Sequence, residues 1–171
     1  MKCLNIPQFE EKRFKVQKGK EIHLKKENEN KTYLRKKLGA IDKKINVDLY
    51  SQKYKIKGIV DEVLTLNDNT MAPLDYKFAK FDEVLYKTYK EQMLMYALMI
   101  EEMYDCKVKK CFLVYTRSSN LVKEFDVKEK DISKLKKSIK EYFKVMEGFF
   151  PKATTSKSRC IDCCYKNICI K

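Results

Sequence analysis

The chain has 171 residues, enough for one domain with a core of its own, and its longest unbroken apolar stretch, residues 93–100, is far short of a membrane span. Its 38 Lys and Arg against 24 Asp and Glu leave a formal net charge of +14, which favours a polyanionic partner. No charged, apolar and small-residue series typical of a signal peptide follows Lys2, so the chain is expected to be cytoplasmic. In that compartment its seven cysteines are expected as ligands or buried thiols rather than disulfides.

In chain order, residues 8–38 are charged and predicted helical in parts, with Pro7 as an early breaker. This segment holds the only histidine, His23, four residues after Gly19. Gly39 ends it, and residues 41–50 alternate as a strand through Ile45, Val47 and Leu49.

Residues 55–77 place two apolar, β-branched runs around Asn67, Asp68 and Asn69. This is a hairpin pattern, because Asn and Asp tolerate the positive φ of a tight reversal. With those three residues as the loop, Leu66 pairs with Thr70 and Asp61 comes opposite Asp75. The period of two then sets Lys77 on the face of Asp75, whereas a two-residue turn would slip the pairing and send Asp61 to the other face. Facing carboxylates repel, and a divalent cation is the simplest compensation. Hard oxygen donors suit Mg²⁺ or Mn²⁺, with a lysine beside the metal to stabilise a developing anion or position a water. The plainer reading is a surface hairpin with scattered charges.

Residues 81–105 change to a helical period through Val84, Leu85, Thr88, Met95, Met99 and Met103, and this helix is expected to pack on the sheet. Gln92 and Tyr96, four apart, share one of its faces. Residues 111–115 read as a buried strand, residues 117–120 as a turn and residues 121–127 as a further strand. Asp131 or Ser133 can cap a last long helix, with Ile132, Leu135, Ile139, Tyr142, Phe143 and Met146 as its core face. Gly148 is expected to stop it, and Phe149, Phe150 and Pro151 to anchor its exit.

Residues 152–159 have little to bury and lead to Cys160, Cys163, Cys164 and Cys169. Thiolates so close can share one metal centre. Zinc normally takes two paired knuckles and only one Cys-x-x-Cys pair is present, so an iron–sulfur cluster is favoured over zinc or unligated thiols. Cys164 is able to stand in for Cys163.

Taken together, Cys3, Gly19 with His23, Gly58 with Asp61, Asp75-Tyr76-Lys77, Gln92 with Tyr96, and Cys160, Cys163 and Cys169 follow one another over nearly the whole chain. This series resembles the RecB-like nucleases of the PD-(D/E)xK superfamily, and among them the CRISPR-associated nuclease family with a four-iron, four-sulfur (4Fe-4S) cluster, the fourth core Cas family. The resemblance implies an α/β, restriction-endonuclease-like fold: a mixed sheet flanked by helices in a single domain, residues 1–171. Residues 152–171 would complete the iron–sulfur site with the N-terminus.

The resemblance further implies that His23, Asp61, Asp75 and the Tyr76 carbonyl bind Mn²⁺ or Mg²⁺, that Lys77 assists attack on a phosphodiester, and that Gln92 and Tyr96 organise the site and hold the DNA strand. The implied reaction is metal-dependent exonuclease action on single-stranded ends, free or as overhangs of a duplex, before CRISPR integration, with the integrase as partner. Two departures stand out: Gly58-Ile-Val-Asp61 replaces the nominal Pro-Asp, and Cys3 lacks the Pro-Arg that often follows. Cys3 is expected as the fourth cluster ligand, with Cys164 or a non-cysteine ligand as the alternative. A catalytically dormant DNA-binding adaptor and a RecB-like nuclease of DNA repair or a mobile element are the rival functions.

Overall fold

A three-residue reversal sets the register of the two strands it joins. Asp68 accepts hydrogen bonds from the Thr70 N–H and hydroxyl, Asn69 takes a φ of +60°, and the Leu66 N–H donates to the Thr70 carbonyl at 2.8 Å. The strands leaving this loop therefore pair Thr65 with Met71 and Glu62 with Leu74, the register expected from the sequence. The computed structural model describes residues 14–161 together with Cys163 and Cys169. Cys3, Pro7 and Cys164 lie outside the described residues.

The elements run α1 (Phe14–Glu29), a 3-10 turn (Lys36–Leu38), β1 (Ala40–Ser51), β2 (Ile56–Leu66), β3 (Met71–Lys77), α2 (Lys87–Tyr104), β4 (Lys110–Tyr115), β5 (Leu121–Asp126), α3 (Glu129–Met146) and α4 (Lys157–Ile161). The strands lie in sequence order in one mixed sheet. Every neighbouring pair is antiparallel except β3 and β4, which are parallel and joined through α2. A parallel pair cannot be closed by a hairpin, so the helical pattern between residues 77 and 110 becomes the crossover.

Two apolar layers hold the sheet. Met93 and Ile100 of α2 pack on Val63, Cys111, Leu113 and Tyr115 of the strands. The opposite face buries Leu64, Leu66, Ala72, Leu74, Phe112 and Val114, with Leu34 and Leu38 packed against them. Strand β4 is covered on both faces, which its unbroken apolar sequence required.

Three local expectations are corrected. Helix α2 begins at Lys87 rather than Phe81: Phe81 is drawn into an edge contact with Tyr115, centroids 5.0 Å apart, and its N–H bonds to the Ser118 hydroxyl. Neither Asp131 nor Ser133 caps α3, because Asp131 pairs with Lys90 of α2 at 2.7 Å. Only Leu135 and Ile139 of α3 are fully buried, against Leu94 and Leu98. Tyr142 and Met146, and Phe149 and Phe150 beyond the helix, are exposed. No helix among the described residues is long and apolar enough to cross a membrane.

Candidate active site

The site forms where strands β2 and β3 part. Their ladder ends at Glu62 and Leu74, and the next acceptor for the Tyr76 N–H is the side chain of Asp61, at 2.7 Å. Strand β1 is irregular at the same level: Ile45 faces Glu62 and Val47 faces Val60, while Asn46 between them has a φ of +49°. Val60 and Val63 both pack into the α2-side core, so the two-residue alternation breaks between them, and Asp61 and Glu62 occupy the break.

Around this break lies a cleft of about 410 Å³ lined by His23, Asp61, Asp75, Lys77, Gln92 and Tyr96, among others. Asp61 Oδ1 is 2.6 Å from His23 Nδ1. That hydrogen bond raises the imidazole pKa above its ordinary value against the opposing effect of burial. Asp75 is 3% exposed. Burial holds its carboxyl pKa up, Lys77 pulls it down and Asp61 pushes it further up. The Lys77 ammonium stands 2.7 Å from Asp75 Oδ2, close enough for an ion pair but off the hydrogen-bonding directions, so this oxygen has no hydrogen bond among the described residues.

Lys77 is fixed from two further sides. Its Nζ donates to Gln92 Oε1 at 2.5 Å and sits 5.0 Å from the centre of the Tyr89 ring, a cation–π contact. Gln92 Nε2 in turn donates to the Tyr96 hydroxyl at 2.8 Å, and that hydroxyl donates to the Ile59 carbonyl at 2.7 Å. The four-residue spacing of Gln92 and Tyr96 thus makes one chain of bonds from β2 to the ammonium of β3. Burial pushes the Tyr96 phenol up to about 12, so it stays a donor. Gly58 explains how the ring reaches β2: a Cβ there would meet Tyr96 Cε1 at 3.1 Å.

As placed, the predicted donors are joined in pairs, His23 with Asp61 and Asp75 with Lys77. No three His, Cys, Asp or Glu side chains among the described residues stand close enough to hold a metal ion together. Tyr76 points its phenol to the other face, where it donates to buried Glu62 at 2.6 Å. Burial, then Glu62, keep that phenol well above the usual tyrosine range. Glu62, Arg35 and Tyr89 are site neighbours that the sequence reading missed. Glu62 was detectable: it shares the inward parity of Leu64 and Leu66, and a carboxylate in that series asks for a buried partner.

At the other end of the chain, the Cys163 N–H meets the Cys160 carbonyl at 3.5 Å just past α4. Cys160 and Cys163 are half-buried and Cys169 is exposed, all three as free thiols. Cys111, by contrast, is fully buried, and burial pushes its thiol pKa far up, as fits a small core residue.

A profile of the PD-(D/E)XK nuclease superfamily matches residues 7–170. The chain belongs to the PD-(D/E)XK nuclease superfamily. Asp61 followed by Asp75-Tyr76-Lys77 spells the acid, acid and lysine of that name, and the cleft is where all three meet. The CRISPR-associated exonuclease Cas4 of Francisella tularensis subsp. novicida (strain U112) is 31% identical over 157 residues, 90% of this chain and 77% of that protein. The similarity places the chain in the CRISPR-associated, RecB-like branch of the PD-(D/E)XK nucleases, which are metal-dependent enzymes. The crystal structure of SSO0001 shares the fold, with a TM-score of 0.53 and 19% identity over 88% of this chain and 68% of that one.

Proposed function

We propose that the chain is a metal-dependent DNA exonuclease that trims single-stranded ends during CRISPR spacer acquisition in the cytoplasm, handing its product to the integrase. The observation that carries this reading is the meeting of Asp61, Asp75 and Lys77 in one cleft, with Lys77 held between Asp75 and Gln92. The donor set fits a hard divalent cation: two carboxylates share the cleft, and burial raises the pKa of Asp75 even with the Lys77 ammonium 2.7 Å away. His23, Asp61, Asp75 and the Tyr76 carbonyl would hold Mn²⁺ or Mg²⁺. When bound, such an ion lowers the pKa of a water and neutralises charge developing on the phosphate.

The remaining work falls to this chain's side chains. Lys77, its stem enclosed and its ammonium aimed by Gln92 and Tyr89, places a fixed positive charge where the phosphate gains negative charge. Gln92 and Tyr96 keep that ammonium in place and line the floor on which the strand is held. The net charge of +14 draws DNA to the molecule.

Cys160, Cys163 and Cys169 would ligate a 4Fe-4S cluster, with Cys3 as fourth ligand, tying residues 152–171 to the N-terminus of a single domain. Accessible free thiols on one short segment suit soft-metal ligation.

The test is cleavage of end-labelled single strands, blunt duplexes and duplexes with overhangs in Mn²⁺, by wild type and by Asp75→Asn. The reading expects shortening from free ends by wild type and none by the variant. Binding without cutting by wild type would make the chain an adaptor, and equal cutting by Asp75→Asn would move the chemistry elsewhere.

A further inference from the structure

Helix α1 carries His23 to the cleft with little apolar packing among its described side chains. None of its described side chains is fully buried, Phe14 and Leu24 are 73% and 63% exposed, and no described α1 residue joins any of the three apolar clusters. A helix with so little buried surface takes its position from specific polar contacts. Besides His23 itself, the described contacts to the sheet gather at its C-terminal end, at Asn30. The Asn30 carbonyl accepts from Lys43 of β1, and Asn30 Nδ2 donates to the Tyr76 hydroxyl at 2.8 Å.

That hydroxyl is the centre of a closed arrangement. It donates to Glu62 Oε1 at 2.6 Å and accepts from both Asn30 Nδ2 and Arg35 Nη2, the latter at 2.6 Å, which uses its one proton and both lone pairs. Glu62 is 2% exposed, with Arg35 Nε at 3.6 Å and Lys43 Nζ at 3.9 Å from its other oxygen. A buried carboxylate bracketed in this way resists displacement, because removing a partner leaves an uncompensated charge.

The two strands that carry the cleft acids also carry this arrangement. Glu62 follows Asp61, and Tyr76 lies between Asp75 and Lys77 with its N–H on Asp61. Asn30 is seven residues beyond His23, two helical turns or about 10 Å along the axis. Fixing that end of α1 fixes the arc on which the imidazole moves.

We propose that Tyr76, Glu62 and Arg35 form a clasp beside the cleft, on the sheet face opposite α2, that grips Asn30 and so positions His23 against Asp61. These are positioning residues, and the inference rests on the nuclease reading only for the purpose that His23 serves.

The sole histidine gives an unambiguous reporter in the full-length, metal-free protein. Ring resonances of His23 and amide exchange along α1 are followed by NMR in wild type, Tyr76→Phe and Asn30→Ala. The clasp predicts that both variants lose the His23 signature of a carboxylate-bonded imidazole. Protection of α1 amides should fall roughly fivefold to tenfold, the scale of one lost hydrogen bond, while β4 amides keep theirs. Should Tyr76→Phe lose β4 protection as well, Asn30→Ala decides, since it leaves the Tyr76–Glu62–Arg35 core whole. Unchanged His23 resonances and α1 exchange in the folded variants overturn the proposal. The predicted changes, seen in a protein whose wild type cuts no DNA, would support the clasp and overturn the nuclease reading.

Discussion

Asp61 accepts the backbone N–H of Tyr76 at 2.7 Å, in the place where the strand ladder has run out. One carboxylate therefore both closes the gap between two parting strands and faces the cleft. This dual use separates two substitutions that look alike from sequence. Asp61→Asn keeps an acceptor for Tyr76 and should fold with little loss, whereas Asp61→Ala leaves a buried N–H unpaired and should cost about 1–3 kcal/mol. Both should lose cleavage. Urea denaturation of the metal-free proteins checks this, and an Asp61→Ala protein as stable as Asp61→Asn would deny the structural half of the role.

Lys77→Ala is expected to lower turnover by about 100-fold or more while leaving DNA affinity nearly intact. Phosphate contacts are shared among the 38 Lys and Arg of the chain, so one charge is a small part of binding. Single-turnover rates set beside equilibrium binding at two salt concentrations measure the two separately. Loss of binding at low salt would make Lys77 part of the docking surface instead.

Tyr96→Phe removes the link between Ile59 and Gln92 but leaves the ring over Gly58. A loss of about 1 kcal/mol in stability is expected, with turnover falling more than affinity as Lys77 loses its support. If turnover is untouched, Gln92 holds the ammonium unaided.

The pH dependence of the metal-free protein follows from two raised pKa values. His23 gains its proton more readily when folded, so its contribution is fully present below its unfolded pKa and is lost as pH rises through the folded value. Asp75 is also raised, and for a buried acid this means stability is lost as pH rises from the ordinary carboxylate range through the folded value. Both slopes have the same sign. Melting temperatures of wild type should thus decline relative to Asp75→Asn as pH rises above the ordinary carboxylate range, about pH 4, and parallel curves for the two proteins would contradict the assignment of that burial to Asp75. Added Mn²⁺ should reverse the decline in wild type by binding the ionised form.

Cys3→Ser should bleach anaerobically purified protein and lower its iron and acid-labile sulfide, whereas Cys111→Ser, at a fully buried core position, should keep full iron. Undiminished iron in Cys3→Ser would pass the fourth position to Cys164 or to a ligand other than cysteine.

What neighbouring residues determine was readable in advance. The Asn67-Asp68-Asn69 loop carries its own turn chemistry, and from it the period of two placed Asp61 across from Asp75; unbroken apolarity likewise marked β4 as covered on both faces. The tertiary structure alone decided what crosses between elements. His23 finds Asp61 across 38 residues, Lys77 finds Gln92 only after the α2 crossover brings that helix back over the sheet, and the Tyr76 phenol meets Glu62, Arg35 and Asn30 on the sheet face opposite α2. Helical periodicity predicted a core role for Tyr142 and Met146, yet they are exposed, while Leu135 and Ile139 of the same helix meet Leu94 and Leu98. Turn and strand signals act through adjacent side chains, while these pairings depend on where the crossover sets each helix and how far each side chain can reach.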